Sequence, residues 1–201
     1  MLEIIVLVVI FGLIHSWLAG QDIKSKVKRA IGERAYHGFY RLGYNILAAV
    51  TLLPPLILII LRGEVIWRIE GLAVGALLLI QAAGVIGLVV SLLQIDWMRF
   101  AGLRQTLAYF SGAALPLPEE PLQTGGLYGL VRHPLYLFSL MAMWPMATMT
   151  DSLLAFNIAA TLYFVVGSLY EERRLVAAFG ENYVAYRQRV PWLIPGLRLR
   201  N

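Results

Sequence analysis

The sequence predicts an all-α integral membrane protein with about five transmembrane helices, a C-terminal helical hairpin and a cytoplasmic helical tail. Hydrophobic residues make up 59% of the 201 residues, against about 45–50% in an average soluble domain. Charged residues make up only 14%, where about 25% is usual, so much of the surface is expected to face lipid. Five apolar stretches supply the helices, and they cover residues 2–19, 46–61, 72–93, 135–149 and 153–170.

Three of these stretches, the first, third and fifth, are long enough to cross the bilayer core, which needs about 17–25 residues. The second is shorter and contains Pro54 and Pro55, so neighbouring helices, hydroxyl groups or water must satisfy the carbonyls that the prolines leave free. The fourth is also marginal by length. The segment 97–114 mixes arginines with aromatic residues, which predicts a location in the membrane interface. The first stretch lacks a basic leading region and a clean cleavage site, so it is not interpreted as a cleaved signal peptide.

Positive charge is distributed unevenly between the connections. If the N-terminus lies outside, 15 of the 17 lysine and arginine residues fall on the cytoplasmic side. The positive-inside rule therefore predicts an outside N-terminus and a cytoplasmic C-terminus, in what we expect to be a bacterial or archaeal inner membrane. The basic run over residues 24–34 predicts contact with anionic membrane lipid.

Several classes of protein are excluded by what the sequence lacks. With no cysteine there is no disulfide framework, thiolate nucleophile or cysteine-bound metal, and no metal site is predicted. His15 is the only histidine in a predicted span, whereas a haem held between helices by two histidines would need a second. The sequence carries neither a nucleic-acid-binding motif nor a glycine-rich phosphate loop, so no nucleic-acid partner is expected.

The first polar cluster stands at the start of the fourth stretch. Pro134 suits the first turn of a helix, where its missing N–H costs nothing, so Arg132 and His133 are expected beside the free amide groups of that turn. Helix amides, a guanidinium and an imidazole together form a good anion site. The same residues are also typical of a helix anchored at the level of the lipid headgroups, and these residues alone leave both interpretations open.

The second polar cluster stands where the fifth stretch leaves the membrane. Glu171 and Glu172 are adjacent carboxylates, which are costly at this depth unless they are paired or hydrated. On these residues alone, the simpler interpretation pairs Glu171 with Arg174 three positions later on a helix surface. The short connection near Asp151 makes the last two spans a hairpin, so both polar clusters are expected at its cytoplasmic end. A ligand with a carboxylate, an ammonium and a ribose diol would find partners there.

The two clusters belong to a longer pattern that resembles a known superfamily. Residues 125–195 are similar to the C-terminal core of the isoprenylcysteine carboxyl methyltransferase superfamily, which includes phospholipid N-methyltransferases and methanethiol S-methyltransferases. The pattern is Gly-x-Tyr, Arg-His-Pro-x-Tyr, Glu-Glu-x-x-Leu, Phe-Gly-x-x-Tyr-x-x-Tyr and Val-Pro-x-x-Ile-Pro. The residues that match it here are Gly126, Tyr128, Arg132, His133, Pro134, Tyr136, Glu171, Glu172, Leu175, Phe179, Gly180, Tyr183, Tyr186, Val190, Pro191, Ile194 and Pro195.

The resemblance implies an all-helical membrane enzyme that binds S-adenosylmethionine at the cytoplasmic end of its last helices. We expect one membrane domain over residues 1–201, with an N-terminal three-span part over 1–94 and a C-terminal cofactor-binding core over 95–201. The resemblance assigns no catalytic residue. The residues that it places at the cofactor are Gly126, Tyr128, Arg132, His133, Tyr136, Glu171 and Glu172. The candidates for contact with the substrate are His15, Arg41, Arg104 and Phe138.

Two positions depart from the superfamily pattern. Where its members usually have a small residue two positions after the motif tyrosine, this chain has Phe138, which predicts a crowded approach to the pocket. Where the prenylcysteine enzymes typically have an arginine facing the substrate carboxylate, this chain has Gly167, although Arg41 or Arg104 could supply the cation from another segment. Desolvating an anion without a cation is expensive. The sequence therefore predicts a methyltransferase for a small or lipophilic acceptor, a thiol rather than a prenylcysteine carboxylate.

Other functions stay open at this point. A prenylcysteine carboxyl methyltransferase or a phospholipid amine methyltransferase would use the same core. Residues 15–19 and 40–45 resemble a sister family of bacterial membrane proteins associated with denitrification. That second resemblance leaves a non-enzymatic membrane assembly factor as an alternative, and binding of the cofactor would separate the two classes.

Overall fold

Helices account for most of residues 1–197, the part of the chain that the computed structural model describes. They are α1 Leu2–Ala19, α2 Gln21–Ile31, α3 Glu33–Leu61, α4 Leu72–Leu93, α5 Trp97–Ala101, α6 Leu103–Phe110, α7 Leu127–Leu130, α8 Pro134–Met143, α9 Asp151–Phe179 and α10 Glu181–Arg189. Two short strands, β1 Val65–Arg68 and β2 Thr148–Thr150, complete the regular structure.

The contacts within the chain divide it into two units. The third apolar stretch, residues 72–93, groups with the C-terminal segments. The first unit comprises residues 1–63 and 96–120, and the second comprises residues 64–95 and the chain from 121 onward.

Four helices within the described residues are long and apolar enough to cross a membrane, namely α1, α3, α4 and α9. Their most apolar windows have mean hydropathies between 1.8 and 2.5, and most of their large apolar side chains are exposed on the protein surface. Such a surface requires lipid around it. The predicted class, an all-α integral membrane protein, is therefore confirmed.

The helix predicted over residues 135–149 is shorter than expected. Its helical part, α8, has ten residues, or about 15 Å of length, against a hydrocarbon core of about 30 Å. Pro145 follows two residues after the helix end and cannot continue it, because proline has no N–H to donate. The predicted extent of this span was wrong, since an apolar run does not by itself mark where a helix stops.

The end of α8 is closed by two side-chain amides. Gln81 on α4 donates from Nε2 to the Ala142 carbonyl at 3.2 Å, and Asn157 on α9 donates from Nδ2 to the Met143 carbonyl at 2.9 Å. Asn157 is completely buried. Backbone carbonyls away from water need a partner, so these amides allow a helix to stop between its neighbours.

The connections before α4 and before α9 meet in a two-stranded antiparallel sheet. Val65 is paired with Thr150, and Arg68 with Thr148. Asp151 extends the pairing, because its Oδ1 accepts a hydrogen bond from the Glu64 amide at 2.9 Å. Both helices therefore start at the same end of the second unit and run toward its polar clusters. The sequence did not predict these strands.

Close contact between α4 and α8 depends on two glycines. A Cβ atom at Gly84 would lie 2.6 Å from the Ala142 amide nitrogen, and one at Gly87 would overlap the Phe138 ring. The Phe138 side chain is buried in this contact. The crowding that Phe138 was expected to impose on a pocket is thus located at a helix interface, where the missing side chain of Gly87 makes room for the ring.

The helices α8 and α9 run antiparallel, as the predicted hairpin requires. At one end, His133 lies beside Glu172, and toward the other end the Trp144 indole donates to the Thr161 hydroxyl at 3.0 Å. The hairpin brings residues about 40 positions apart to the same level, and the two polar clusters meet at its open end.

In the first unit, side chains of α3 cap the ends of α5 and α6. Arg34 donates to the Tyr109 and Ala113 carbonyls at 3.1 and 3.0 Å. Asn45 donates to the Phe100 and Ala101 carbonyls, both at 3.0 Å. Donors at a helix C-terminus satisfy its orphan carbonyls, so the segment predicted to lie in the interface is fastened to α3 as two short helices.

Candidate cofactor site

His133 caps the start of α8, and Pro134 is the first residue of that helix. Proline fits this position because an amide there would have no partner inside the helix. The backbone amides just before it are already bonded within the chain. Arg132 donates its amide to the Pro191 carbonyl at 2.9 Å, and His133 donates to the Trp192 carbonyl at 3.3 Å.

Glu172 on α9 accepts three hydrogen bonds on one oxygen. Its Oε1 lies 2.8 Å from Arg132 Nε, 3.0 Å from His133 Nε2 and 2.8 Å from the Tyr183 hydroxyl. The exposed fraction is 9% for the side chains of both Glu172 and Arg132, and 3% for that of His133. Buried charges need partners of this kind, and here the partners come from two segments, the start of α8 and α10.

Glu171 differs from its neighbour in exposure. Its Oε2 accepts a hydrogen bond from the Tyr136 hydroxyl at 3.0 Å and lies 3.6 Å from His133 Nδ1, while 46% of its side chain is exposed. Its Oε1 accepts no hydrogen bond from the described part of the chain. The expected surface pairing of Glu171 with Arg174 is replaced by contacts with α8, because the hairpin places stronger donors across from it.

Tyr136 holds its hydroxyl at Glu171 by stacking on both faces. The ring lies 5.5 Å from the His133 ring and 5.1 Å from the Phe164 ring, with interplanar angles of 19° and 21°. Stacked rings at these distances pack favourably. These two stacking contacts help to hold the Tyr136 hydroxyl beside Glu171.

The electrostatics of the cluster favour a charged imidazole. Burial alone would lower the pKa of His133, but hydrogen bonds and negative charge from Glu171 and Glu172 outweigh it and raise the pKa above its ordinary value of 6.5. Burial and the neighbouring Glu172 raise the pKa of Tyr183 far above its usual range. Tyr183 therefore stays protonated and donates its hydrogen bond at all physiological pH values.

The C-terminal tail occupies the donors that were expected to bind an anion. Arg132 Nη1 donates to the Arg187 and Val190 carbonyls at 2.8 and 3.0 Å, at the end of α10. The Tyr186 hydroxyl donates to the Tyr128 carbonyl at 2.5 Å. The Arg132 guanidinium and the backbone amides of Arg132 and His133 are thus bonded to carbonyl groups of the tail, which folds back over the start of α8.

Gly126 contributes shape rather than a functional group. Its φ of +58° is one that residues with a side chain rarely adopt, and a Cβ atom there would collide with the Gln94 side chain. Gln94 Oε1 accepts a hydrogen bond from the Leu127 amide at 3.0 Å. Burial raises the pKa of Tyr128, which follows this turn, to about 12. Tyr183 was not among the expected site residues, although it belongs to the sequence pattern.

Three of the four substrate candidates lie in the first unit and have partners there. His15 stacks on Phe11 and forms a hydrogen bond with Tyr44. Arg41 Nε donates to the Phe100 carbonyl at 3.1 Å, and Arg104 Nε lies 2.5 Å from Asp96 Oδ2. The fourth candidate, Phe138, packs on Gly87. Within residues 1–197, no group of three acidic or histidine side chains is arranged to hold a metal ion.

The polar cluster is built from a helical hairpin and a folded-back tail. The phospholipid methyltransferase family profile matches residues 73–182. This range includes Arg132, His133, Tyr136, Glu171 and Glu172 but not Tyr183. The chain belongs to this family. The resemblance inferred from the sequence motifs is confirmed.

Several proteins similar to this chain are named as methyltransferases. Methanethiol S-methyltransferase 2 of Bradyrhizobium diazoefficiens is 38% identical over 135 residues, which are 67% of this chain and 51% of that protein. Methanethiol S-methyltransferase of Mycobacterium tuberculosis is 33% identical over 195 residues, covering 95% of this chain and 76% of that protein. Protein-S-isoprenylcysteine O-methyltransferase B of Arabidopsis thaliana is 37% identical over 82 residues, covering 38% and 41%.

The chain spans about half the length of the two Bradyrhizobium relatives that it matches. No solved structure matches the chain.

Proposed function

We propose that the protein is a membrane methyltransferase that transfers a methyl group from S-adenosylmethionine to a small or lipophilic thiol. The observation that carries the proposal is the Glu171 carboxylate, which is half exposed at the edge of an otherwise buried polar cluster. Membership of the phospholipid methyltransferase family supports the reaction class, and relatives named methyltransferases support it independently.

The polar groups of the cluster suit S-adenosylmethionine. The Oε1 atom of Glu171 can accept a hydrogen bond from the ammonium group or the ribose hydroxyls of such a ligand. The hydroxyl edge of Tyr136 and the His133 imidazole, which both contact Glu171, would fix the carboxylate. The turn at Gly126 and Tyr128, with Arg132 and Glu172, would support these groups. When bound, S-adenosylmethionine would supply an electrophilic methyl group on a sulfonium sulfur.

The residues of the chain would act by binding, orienting and excluding water. A thiol has a pKa near 8.5 and can ionise without a dedicated base, so the absence of an assigned general base is compatible with a thiol acceptor. Orientation of two bound reactants supplies much of the rate of such a transfer. His133 and Glu172 are buried and hydrogen-bonded to each other, and Tyr136 stacks on His133, so these contacts would provide that orientation.

The acceptor is proposed from the surroundings of Gly167. A Cβ atom at Gly167 would lie 3.9 Å from the Tyr136 hydroxyl, so this position borders the cluster and contributes no charge. Arg132 is already bound to Glu172 and two carbonyls. A carboxylate acceptor would therefore find no cation from these two positions, and an uncompensated anion is costly to desolvate. Phe138 no longer supports the proposal, because its ring is buried against Gly87.

The test is binding and turnover by the purified full-length chain in detergent. Wild-type protein should bind S-adenosylmethionine in isothermal titration calorimetry, and Glu171→Gln should weaken binding by roughly 10- to 150-fold, the worth of one charge-assisted hydrogen bond. Glu181→Gln, at an exposed position on α10, is the matched control and should bind as the wild type does. No binding at millimolar cofactor by folded protein would favour the assembly-factor alternative.

Turnover separates the possible acceptors. With cofactor labelled in its methyl group, an alkyl thiol should be methylated faster than a farnesylated cysteine analogue or a phosphatidylethanolamine vesicle. Faster methyl-ester formation on the farnesylated compound would show that the acceptor is a carboxylate rather than a thiol. Faster labelling of the lipid amine would indicate a phospholipid methyltransferase instead.

We further propose that the N-terminus lies outside and the C-terminus in the cytoplasm, on the basis of the charge distribution. The chain has no cysteine, so single cysteines can be labelled in intact cells with an impermeant maleimide. Arg68→Cys, on exposed β1, should react in intact cells, and Arg189→Cys, on exposed α10, should react only after permeabilisation. The reverse pattern would invert the proposed orientation.

A further inference from the structure

The two adjacent glutamates have different surroundings, which divides their roles. Glu172 Oε1 already accepts hydrogen bonds from Arg132, His133 and Tyr183. A carboxylate oxygen offers about two lone pairs, so three donors saturate Oε1. The other oxygen, Oε2, lies 3.9 Å from Arg187 Nη1. Only 9% of the Glu172 side chain is exposed, against 46% for Glu171. A ligand therefore has access to Glu171 but not to Glu172.

We propose that Glu172 is a positioning residue that joins α8, α9 and α10, and that Glu171 alone of the pair contacts the cofactor. The identity of the ligand rests on the proposed function. The linkage of the three helices through Glu172, called the joint below, rests only on contacts within the chain. Through Arg132 the joint extends to the Arg187 and Val190 carbonyls at the end of α10. One carboxylate therefore holds three helices in register at the site.

The joint reaches Glu171 through the imidazole that the two glutamates share. His133 faces Glu172 with Nε2 and Glu171 with Nδ1, and the Tyr136 ring covers one of its faces. The contact with Glu172 thus sets the orientation of the imidazole, and the imidazole in turn positions the Glu171 carboxylate. Loss of Glu172 also leaves the Arg132 guanidinium buried without its counter-ion, which releases the tail from the start of α8.

The experiment compares three variants of the full-length chain in detergent: Glu172→Gln, Tyr183→Phe and Glu171→Gln. Cofactor affinity is measured by calorimetry, and release of α10 by trypsin cleavage after Arg187 and Arg189, followed by mass spectrometry. Glu172→Gln should weaken binding about 10-fold or more and accelerate cleavage. Tyr183→Phe, which removes one neutral donor from the joint, should weaken binding by about 3- to 10-fold and accelerate cleavage in the same direction. Glu171→Gln should weaken binding with cleavage unchanged.

A second readout separates positioning from general loss of structure. His133 is faced by Glu171, Glu172 and Tyr136, with Arg132 behind Glu172. Removal of the Glu172 charge takes away one of the two charges that keep the imidazole protonated. The pH above which cofactor affinity falls should therefore move downward in Glu172→Gln, whereas a merely structural loss would weaken binding equally at every pH. Glu172→Asp, which keeps the charge, should keep the wild-type pH profile.

The outcomes distinguish this inference from the proposed function. If Glu172→Gln weakens binding while cleavage and the Tyr183→Phe affinity stay at wild-type values, Glu172 is a direct ligand and the inference is overturned. If wild-type protein binds no cofactor but Glu172→Gln and Tyr183→Phe still accelerate cleavage, the proposed function fails and the joint stands. If Glu172→Gln does not fold, Tyr183→Phe with its two readouts decides the question.

Discussion

The two units of the molecule use arginine in different ways. In the first unit Arg34 and Arg41 donate to backbone carbonyls at helix ends, and Arg104 forms a single ion pair with Asp96. In the second unit Arg132 also caps a helix end, but it shares the Glu172 carboxylate with His133 and Tyr183. Separate contacts are lost one at a time, whereas a shared carboxylate couples every group bound to it. The difference predicts where substitutions have large effects.

The largest effect is expected at Glu172. Glu172→Ala leaves the buried Arg132 guanidinium without its counter-ion and removes one of the two carboxylates beside His133. The loss should lower the free energy of unfolding by about 3–5 kcal/mol. Reversible denaturation in mixed micelles measures the loss, with Glu181→Ala as the control. A loss as small as that of an exposed ion pair would remove the distinction between the two units.

The next effect depends on pH. Because the folded-state pKa of His133 is raised above 6.5, the protonated imidazole contributes stability that is fully present below pH 6.5 and is lost as pH rises through the folded pKa. The contribution is bounded by one charge-assisted hydrogen bond, about 1.5–3 kcal/mol. The stability difference between wild type and His133→Gln should shrink from pH 6 to pH 9. A difference that is constant or grows with pH would contradict the charged imidazole.

Two asparagines that cap helix ends differ in burial and in the number of carbonyls that they bond. The side chain of Asn157 is completely buried, and Asn157→Leu leaves the Met143 carbonyl without its donor, which should cost about 1–3 kcal/mol. Asn45→Leu removes a similar cap from α5 in the first unit, where Asn45 is only half-buried. It should cost less, about 0.5–1.5 kcal/mol. Thermal unfolding in the same detergent compares the two, and an equal or inverted order would show that burial does not set the cost.

The smallest effect is expected at Arg104. Its ion pair with Asp96 is 54% exposed on the arginine side, and exposed pairs contribute about 0.2–1 kcal/mol. Arg104→Ala should leave unfolding nearly unchanged and methyl transfer to an alkyl thiol at wild-type rates. A marked fall in that transfer rate, with folding intact, would return Arg104 to the substrate site.

The membrane class, the hairpin and the meeting of the two polar clusters could be predicted from the sequence. Apolar length and composition report on lipid exposure, and the motif residues from Arg132 to Glu172 carry the family pattern. The end of α8 at Met143 was missed because the residues after it are as apolar as those before, although Pro145 is a local signal that a helix ends. The donors that permit the end, Gln81 and Asn157, lie on other helices.

The different roles of Glu171 and Glu172 could not be predicted from the sequence either. Adjacent residues on a helix point in directions about 100° apart, so one can be buried while the other faces outward. Which of the two is buried depends on where α10 folds, and the contacts of Tyr183 and Arg132 that fix α10 are non-local. The pairing of β1 with β2 was not predicted either, because it is non-local and because strands of three or four residues carry almost no sequence pattern.

The contact between Gly87 and Phe138 has a consequence for how the chain can diverge. The ring occupies the volume that a side chain at position 87 would need, so the two positions share one fixed space. Enlarging Gly87 first forces the helices apart, and shrinking Phe138 to alanine first opens a cavity that costs about 3–5 kcal/mol. A chain with a small residue in place of Phe138 would therefore need more bulk on the facing helix to keep this space filled.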